Sequence, residues 1–167
     1  AGVFEGYADG TFKPYQSINR AEAIKVILKA LSKPILPPDG GNLGFWDVNT
    51  SHWYMSYLRT AKMYGVISGY SDGSFKPGNT INRAELLKVF LEATGVFIPL
   101  CQGQPYPDVP NSNPWYLKYA CFAKQYNLVS TNNWGQFSPA TPMTRGDVAD
   151  LFYRFEQQGL FSGAYYN

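Results

Sequence analysis

The nine residues Gly69-Tyr70-Ser71-Asp72-Gly73-Ser74-Phe75-Lys76-Pro77 repeat an earlier stretch, Gly6-Tyr7-Ala8-Asp9-Gly10-Thr11-Phe12-Lys13-Pro14, at an offset of 63 residues. The Asp-Gly pair in each stretch favours a tight turn with a positive φ at the glycine, and the closing proline blocks a helix. Recurrence at this period is typical of a repeat architecture, in which each unit buries its apolar face against its neighbours. The sequence therefore predicts an array of similar units.

Upstream of the turn, a second motif recurs with nearly the same spacing. Phe45-Trp46-Asp47-Val48 returns as Tyr106-Pro107-Asp108-Val109, and the two stretches are followed by Trp53 and Trp115. Apolar residues at helical spacing come after each tryptophan. Each unit is therefore predicted to contain a helix, a turn-rich loop and a second helix.

An arginine stands in the first turn of each predicted second helix. The three starts are Asn19-Arg20-Ala21-Glu22, Asn82-Arg83-Ala84-Glu85 and Thr144-Arg145-Gly146-Asp147, all close to a capping box. A cation at a helix start faces the positive end of the macrodipole, which usually costs about 0.3–1 kcal/mol. Three such arginines indicate that a negative group binds there, either an external acid or a carboxylate of the chain itself.

The repeat spacing predicts the limits of the units. They are a partial first unit at 1–33, a second at 45–95 and a third at 106–159, with linkers at 34–44 and 96–105 and a tail at 160–167. Gly2 aligns with Gly65, so the first unit is expected to lack its first helix, and one groove is then incomplete unless another chain supplies that helix. In the third unit, the apolar stripe of the second helix is predicted at Ala149, Phe152 and Tyr153, with Val148 and Leu151 beside it.

Composition argues against several classes of function. The 167 residues carry a net charge of +2 without a basic run, which gives nucleic-acid binding little support. No apolar run approaches the roughly 20 residues of a membrane span, and one histidine with two cysteines makes no zinc set. No cofactor motif, carboxylate pair or activated nucleophile is evident, so the chain is predicted not to be an enzyme.

The two cysteines, Cys101 and Cys121, bracket the start of the third unit. In an exported protein they are able to form a disulfide that ties the leading loop to the first helix. The alternative is a pair of small buried thiols.

With these motifs in place, the chain resembles S-layer homology (SLH) repeats. The second unit matches that family's pattern from Phe45 to Gly95, with Asn82 in place of threonine, and the first matches from Gly2 onward. The third matches at both ends, but residues 127–137 depart from the pattern, and Arg145-Gly146-Asp147 replaces Arg-Ala-Glu.

The resemblance implies a mainly α fold, with helix-loop-helix repeats in a pseudo-threefold arrangement around a central three-helix bundle. It implies a non-catalytic, extracellular module at the bacterial cell surface that binds a secondary cell-wall polysaccharide, often through a pyruvate ketal. Carried over by motif, the ligand-binding residues are Arg20, Arg83, Arg145, Asp47, Asp108, Trp53, Trp115, Gly65 and Gly69.

The chemistry of these residue types suits such a ligand. A guanidinium gives paired hydrogen bonds to a carboxylate, and an aromatic face packs on a sugar ring. Each residue type also has a structural alternative: the arginines pair with internal carboxylates, Trp53 and Trp115 anchor the core, and Asp47 and Asp108 cap the following helices. Lys25 and Lys88 are expected to be solvated.

A second hypothesis assigns the chain a structural role. In this alternative it is an assembly subunit of a surface layer or filament, in which the repeats keep their fold without a glycan site. The divergent third unit and the 17% aromatic content favour contacts with other surface-layer chains.

Overall fold

The chain is mainly helical in the computed structural model, which describes residues 4–39 and 41–163. The helices are α1 (Arg20–Ala30), α2 (Met55–Met63), α3 (Arg83–Thr94), α4 (Leu117–Gln125) and α5 (Arg145–Gln157), followed by a 3₁₀ turn at Leu160–Gly163. Isolated β-bridges occur within these ranges, but no strand does. The aligned start of the first unit at Gly2 and the tail residues 164–167 lie outside the described residues.

Helices α1, α3 and α5 begin at the predicted caps. The side chains of Asn19, Asn82 and Thr144 each accept a hydrogen bond from the backbone N–H three residues later, and the acidic side chain at that position accepts from the cap N–H. All three capping boxes are therefore complete, and each fixes an arginine as the first residue of its helix.

Helices α2 and α4 begin later than the Asp-Val motifs. Their caps are Tyr54 and Tyr116, and neither makes a side-chain cap hydrogen bond. Asp47 instead accepts from the backbone N–H groups of Phe75 and Lys76, each at 2.7 Å. The interpretation of the aspartates as helix caps is therefore wrong.

Asp108 does the same in the third unit. Its carboxylate accepts from the N–H groups of Phe137 and Ser138, each at 2.7 Å. Both aspartates thus hold the turn 28 to 30 residues downstream and fix where the adjacent phenylalanine enters the core.

The core lies where the helices pack against one another. Helix α1 contacts α2 and α3, and α3 also contacts α4. The fully buried Phe90 of α3 stacks edge-on against Phe152 and Phe155 of α5, at 4.8 and 5.0 Å between ring centroids. The stripe predicted for α5 is wrong at Tyr153, which is 61% exposed, because Val148, Leu151 and Phe155 form the buried face.

Backbone hydrogen bonds connect the residues before the three caps in a closed ring. Ile18 N–H donates to Met143 O, Met143 N–H to Ile81 O, and Ile81 N–H to Ile18 O, at 3.1, 2.9 and 3.1 Å. The three capped helix starts are thereby held together. The pseudo-threefold arrangement of whole units around a central bundle stays a prediction.

A disulfide joins Cys101, in the segment before the third unit, to Cys121 of α4, with 5.7 Å between the Cα atoms. It closes a loop of about 20 residues, which restricts the unfolded chain. None of the helices in residues 4–39 and 41–163 combines the length and apolar character needed to cross a bilayer.

Candidate functional site

Each of the three arginines reaches from one unit to the turn of another. Its guanidinium donates a hydrogen bond to the backbone carbonyl of the phenylalanine in that turn. The pairs are Arg20 with Phe75, Arg83 with Phe137 and Arg145 with Phe12. The last pair connects the third unit back to the first, so the arginines link the units in a closed cycle.

Arg20 is neutralised within the chain. The residue is 7% exposed, and its Nη1 lies 3.0 Å from Oε1 of Glu85. The Tyr70 hydroxyl donates to the same carboxylate oxygen. Burial, with this hydrogen bond as the second cause, raises the pKa of Tyr70 to about 12. The prediction of an internal carboxylate partner therefore describes Arg20.

Arg83 has a different environment. Its buried Nε has no hydrogen-bond partner, and no ion pair of Arg83 occurs within the described ranges. Asp147 stands where Glu85 stands in the preceding unit, with one methylene fewer, and its carboxylate accepts from the N–H and hydroxyl of Thr144. Burial lowers the pKa of Arg83, against a smaller opposing effect of Asp147.

Arg145 lies among aromatic rings. The guanidinium carbon is 5.4, 4.9 and 5.0 Å from the ring centroids of Phe4, Tyr7 and Phe12, and Nη2 donates to the backbone carbonyl of Glu5 at 2.9 Å. In the part of the chain that the structure describes, Arg145 also forms no ion pair. Of the three arginines, Arg20 alone is therefore in a closed internal pair.

A cavity of about 430 Å³, here called the first cavity, opens beside Arg20. Residues of all three units bound it: Arg20, Val66, Ile67, Ser68, Gly69, Tyr70, Ser71, Glu85, Lys88, Val89 and Trp115. Its volume falls within the range of small-molecule sites. Of the predicted ligand residues, the structure brings Arg20, Gly69 and Trp115 together here.

Lys88 is the second cation of the first cavity. It is half-buried on α3, and its Nζ donates to the Val66 carbonyl at 3.2 Å. Burial lowers its pKa, opposed by the nearby carboxylate of Glu92. The expectation of a solvated side chain is wrong for Lys88. The signal in the sequence was its position 63 residues after Lys25, which makes this lysine part of the repeat.

Gly69 shapes the wall of the first cavity because no larger residue fits there. Its φ is +74°, and a Cβ atom would lie 2.4 Å from Cε1 of Phe45 and 2.9 Å from the Ser74 carbonyl oxygen. Gly65, at φ +70°, has open space around the same position. Only Gly69 of the two is therefore required by packing as well as by φ.

The predicted tryptophans are on the surface. Trp53 is 47% exposed and Trp115 is 56% exposed, so the interpretation of both as core anchors is wrong. Trp115 borders the first cavity. Trp53 lies near Lys25, whose Nζ is 5.5 Å from the ring centroid.

A second cavity adjoins Arg83, but its volume is only about 50 Å³. Asp147 and Asp150 are among its lining residues. Asp150 accepts from Arg154 Nε at 2.7 Å, and Arg154 Nη2 donates to the hydroxyl of Ser130 at 2.8 Å. Internal hydrogen bonds thus occupy Asp150 and Arg154 beside this cavity, whereas the Nε of Arg83 has no partner.

Comparison with known families identifies this arrangement. The sequence profile of the S-layer homology domain matches residues 1–24, 44–87 and 105–149. The chain belongs to the S-layer homology domain family. The matched segments contain the three arginines, both Asp-Val motifs and the two predicted ligand residues Trp53 and Trp115.

Three relatives illustrate the similarity. The chain is 28% identical over 161 residues to the surface-layer 125 kDa protein of Lysinibacillus sphaericus, covering 92% of this chain and 13% of that protein. Two proteins of Acetivibrio thermocellus each cover 50% of this chain: cell surface glycoprotein 1, at 42% identity over 92 residues, and the cellulosome-anchoring protein, at 40% over 89. The chain spans only 4% and 19% of these two relatives.

S-layer homology domains anchor proteins to the cell wall, and the names of the relatives indicate a cell-surface, extracellular location for this chain. The chain is thus a surface module that corresponds to a small part of each of these longer proteins.

Proposed function

We propose that the chain is a non-catalytic anchoring module that binds a carboxylate-bearing cell-wall polysaccharide in the first cavity. The observation that carries this proposal is the lining of that cavity, where Arg20, Lys88 and the exposed Trp115 face one space of about 430 Å³. Membership of the S-layer homology family and the cellulosome-anchoring relative support it.

The charges of the lining favour an anion. Two cations, Arg20 and Lys88, stand against one carboxylate, Glu85, so the lining is net positive. The next carboxylate, Glu92, accepts hydrogen bonds from Lys118 and Tyr119. Lys88 donates to a carbonyl and has no carboxylate partner among the described residues. A carboxylate entering the cavity would make a charge-assisted hydrogen bond to Lys88 that is worth about 1.5–3 kcal/mol.

The other walls suit a sugar. The ring of Trp115 offers an apolar face for packing against a pyranose, and Tyr70 and Ser68 bring hydroxyl groups. Gly69 places no side chain in the wall where its backbone packs against the ring of Phe45. A pyruvate ketal on an N-acetylated hexosamine combines a carboxylate with a sugar ring, and we propose this as the group that is recognised.

The remaining predicted residues have supporting roles in this proposal. Asp47 and Asp108 use both carboxylate oxygens to hold the turns, so we assign them positioning rather than direct contact. Arg83 and Arg145 are proposed as weaker contacts along the polymer, where several sites on one chain gain affinity by avidity. Gly65 permits the turn that leads into the cavity wall.

The test is a pull-down on purified wall polymer with matched variants. Lys88→Gln and Trp115→Ala should each weaken binding by about tenfold or more, since each removes one contact worth roughly 1–3 kcal/mol. The controls are Lys124→Gln, an exposed lysine outside the first cavity, and Trp134→Ala, a tryptophan that is 78% exposed. Equal binding by all four variants would contradict the proposal and favour a purely structural module.

A further inference from the structure

Glu5 lies between three cations at the junction of the third and first units. Its carboxylate is 2.8 Å from Lys25 Nζ and 3.0 Å from Lys29 Nζ. Its backbone carbonyl accepts from Arg145 Nη2 at 2.9 Å. One acidic residue of the chain thus satisfies donors that come from two helices, α1 and α5.

This cluster corresponds to the first cavity, position by position along the repeat. Lys25, Trp53 and Glu5 each have a counterpart in the first cavity 62 or 63 residues later in the chain. The arginine that reaches the cluster comes from the third unit, and the arginine that reaches the first cavity comes from the first unit. The correspondences are Lys25 with Lys88, Trp53 with Trp115, Arg145 with Arg20 and Glu5 with Ser68. The contacts agree: Arg145 Nε donates to Phe12 O as Arg20 Nε does to Phe75 O, both at 2.9 Å.

The two places differ in their source of negative charge. In the first cavity, position 68 is a serine, and Lys88 has no carboxylate partner among the described residues. In the cluster, Glu5 presents a carboxylate to Lys25, and the Lys25 ammonium lies 5.5 Å from the centroid of Trp53. The lysine-tryptophan pair that would receive an external acid has an internal acid instead.

The Glu5 carboxylate is ionised at any physiological pH. Hydrogen bonds from Lys25 and then Lys29 lower its pKa from 4.5 to about 2. Its side chain is also 62% exposed, so its ion pairs are screened by water and weak enough for another anion to displace.

We propose that Glu5 is an internal competitor at the junction lined by Lys25, Arg145 and Trp53, where it takes the place that a carboxylate-bearing sugar would otherwise occupy. This inference rests on the proposed function of the first cavity, since it assigns the same ligand chemistry to the corresponding residues. Glu5 thereby sets how many glycan sites the chain presents.

The experiment is an NMR titration that follows the indole N–H signals of Trp115 and Trp53. The probe is the methyl glycoside of an N-acetylhexosamine that carries a pyruvate ketal, and the glycoside without the ketal is the negative control. The wild-type chain is compared with Glu5→Ser, which introduces the residue of the second unit, and with Glu5→Gln, which removes only the charge. Glu156→Ser changes an exposed glutamate elsewhere and is the matched control.

In Glu5→Ser and Glu5→Gln, the Trp53 signal should respond at a probe concentration roughly two- to fivefold lower than in wild type, because an exposed competing ion pair is lost. Glu156→Ser should behave as wild type. A retained Trp115 response shows in the same spectra that each variant is folded. If Trp53 responds equally in wild type and both Glu5 variants, or in none of them, the inference is overturned, whatever Trp115 does. If Trp115 is silent throughout and Trp53 responds more readily in the Glu5 variants, the first-cavity proposal fails while the assignment of Glu5 stands.

Discussion

The first and second cavities are built on the same repeat, yet the charged residues that line them differ. Beside Arg20 the helix presents Glu85 and Lys88, whereas beside Arg83 the corresponding positions are Asp147 and Asp150. Two cations thus face one carboxylate in the first cavity. In the second, Arg83 lies beside Asp147 and Asp150, and Asp150 is paired with Arg154. The first cavity has a volume of about 430 Å³ and the second of about 50 Å³, and a third of about 510 Å³ shares Val129 and Ser130 with the second.

This difference shows that the capped arginine alone does not define a binding site. Both arginines begin a capped helix and both donate to a phenylalanine carbonyl of the following unit. The cavities differ in the residue three positions after the acidic residue of the capping box. This residue is Lys88 in the first cavity and Asp150 in the second. The arginine maintains the junction between units, and the neighbouring positions decide whether the junction attracts an anion.

The largest expected effect distinguishes the two arginines by stability. Arg20→Met should lower the free energy of unfolding by about 3 kcal/mol, because it leaves the largely buried Glu85 without its cation. Arg83→Met should change it by no more than about 1 kcal/mol, since the lost bond to Phe137 is offset by removal of a buried, unpartnered Nε. Urea denaturation of both variants measures the difference.

A double variant sharpens this comparison. Arg20→Met combined with Glu85→Leu should recover a large part of the loss, because the buried charge is removed together with its partner. Equal destabilisation by Arg20→Met and Arg83→Met would show that the ion pair does not distinguish the cavities.

The sequence was sufficient to predict the repeat, the three capping boxes and the mainly helical fold, because these depend on local signals such as Asn19 with Glu22. It was insufficient for Lys88 and Glu5, whose surroundings depend on which units meet in space. The same limit affected Trp115, since an aromatic residue near a helix start is compatible with either a core or a surface position. For Asp47 the sequence left a helix cap and a ligand contact as alternatives, because the actual partners of its carboxylate are 28 and 29 residues away.

A second prediction concerns the two glycines before the turn of the second unit. Gly69→Ala should destabilise the chain by about 2 kcal/mol, because its Cβ would overlap the Phe45 ring and the Ser74 carbonyl at a positive φ. Gly65→Ala should cost only about 1 kcal/mol, since it has the unfavourable φ without a clash. Thermal unfolding of both variants measures the difference. Similar midpoints would mean that Phe45 and the Ser74 backbone shift to accommodate the Cβ at little cost.

The smallest expected effect is the pH dependence of glycan binding by the first cavity. Burial lowers the pKa of Lys88, so its charge is lost at a less alkaline pH than that of an exposed lysine. A carboxylate ligand binds the charged form, and affinity should therefore fall as the pH rises from neutral towards the ordinary lysine range. Over this range only part of the Lys88 population loses its proton, so the loss should stay below the roughly tenfold effect expected for Lys88→Gln. Lys88→Arg provides the matched control, since a guanidinium does not titrate in this range and binding should then be level with pH. If the wild-type chain and Lys88→Arg show the same pH profile, Lys88 does not contact the ligand. The contrast between the two cavities would then lose the charge difference on which it depends.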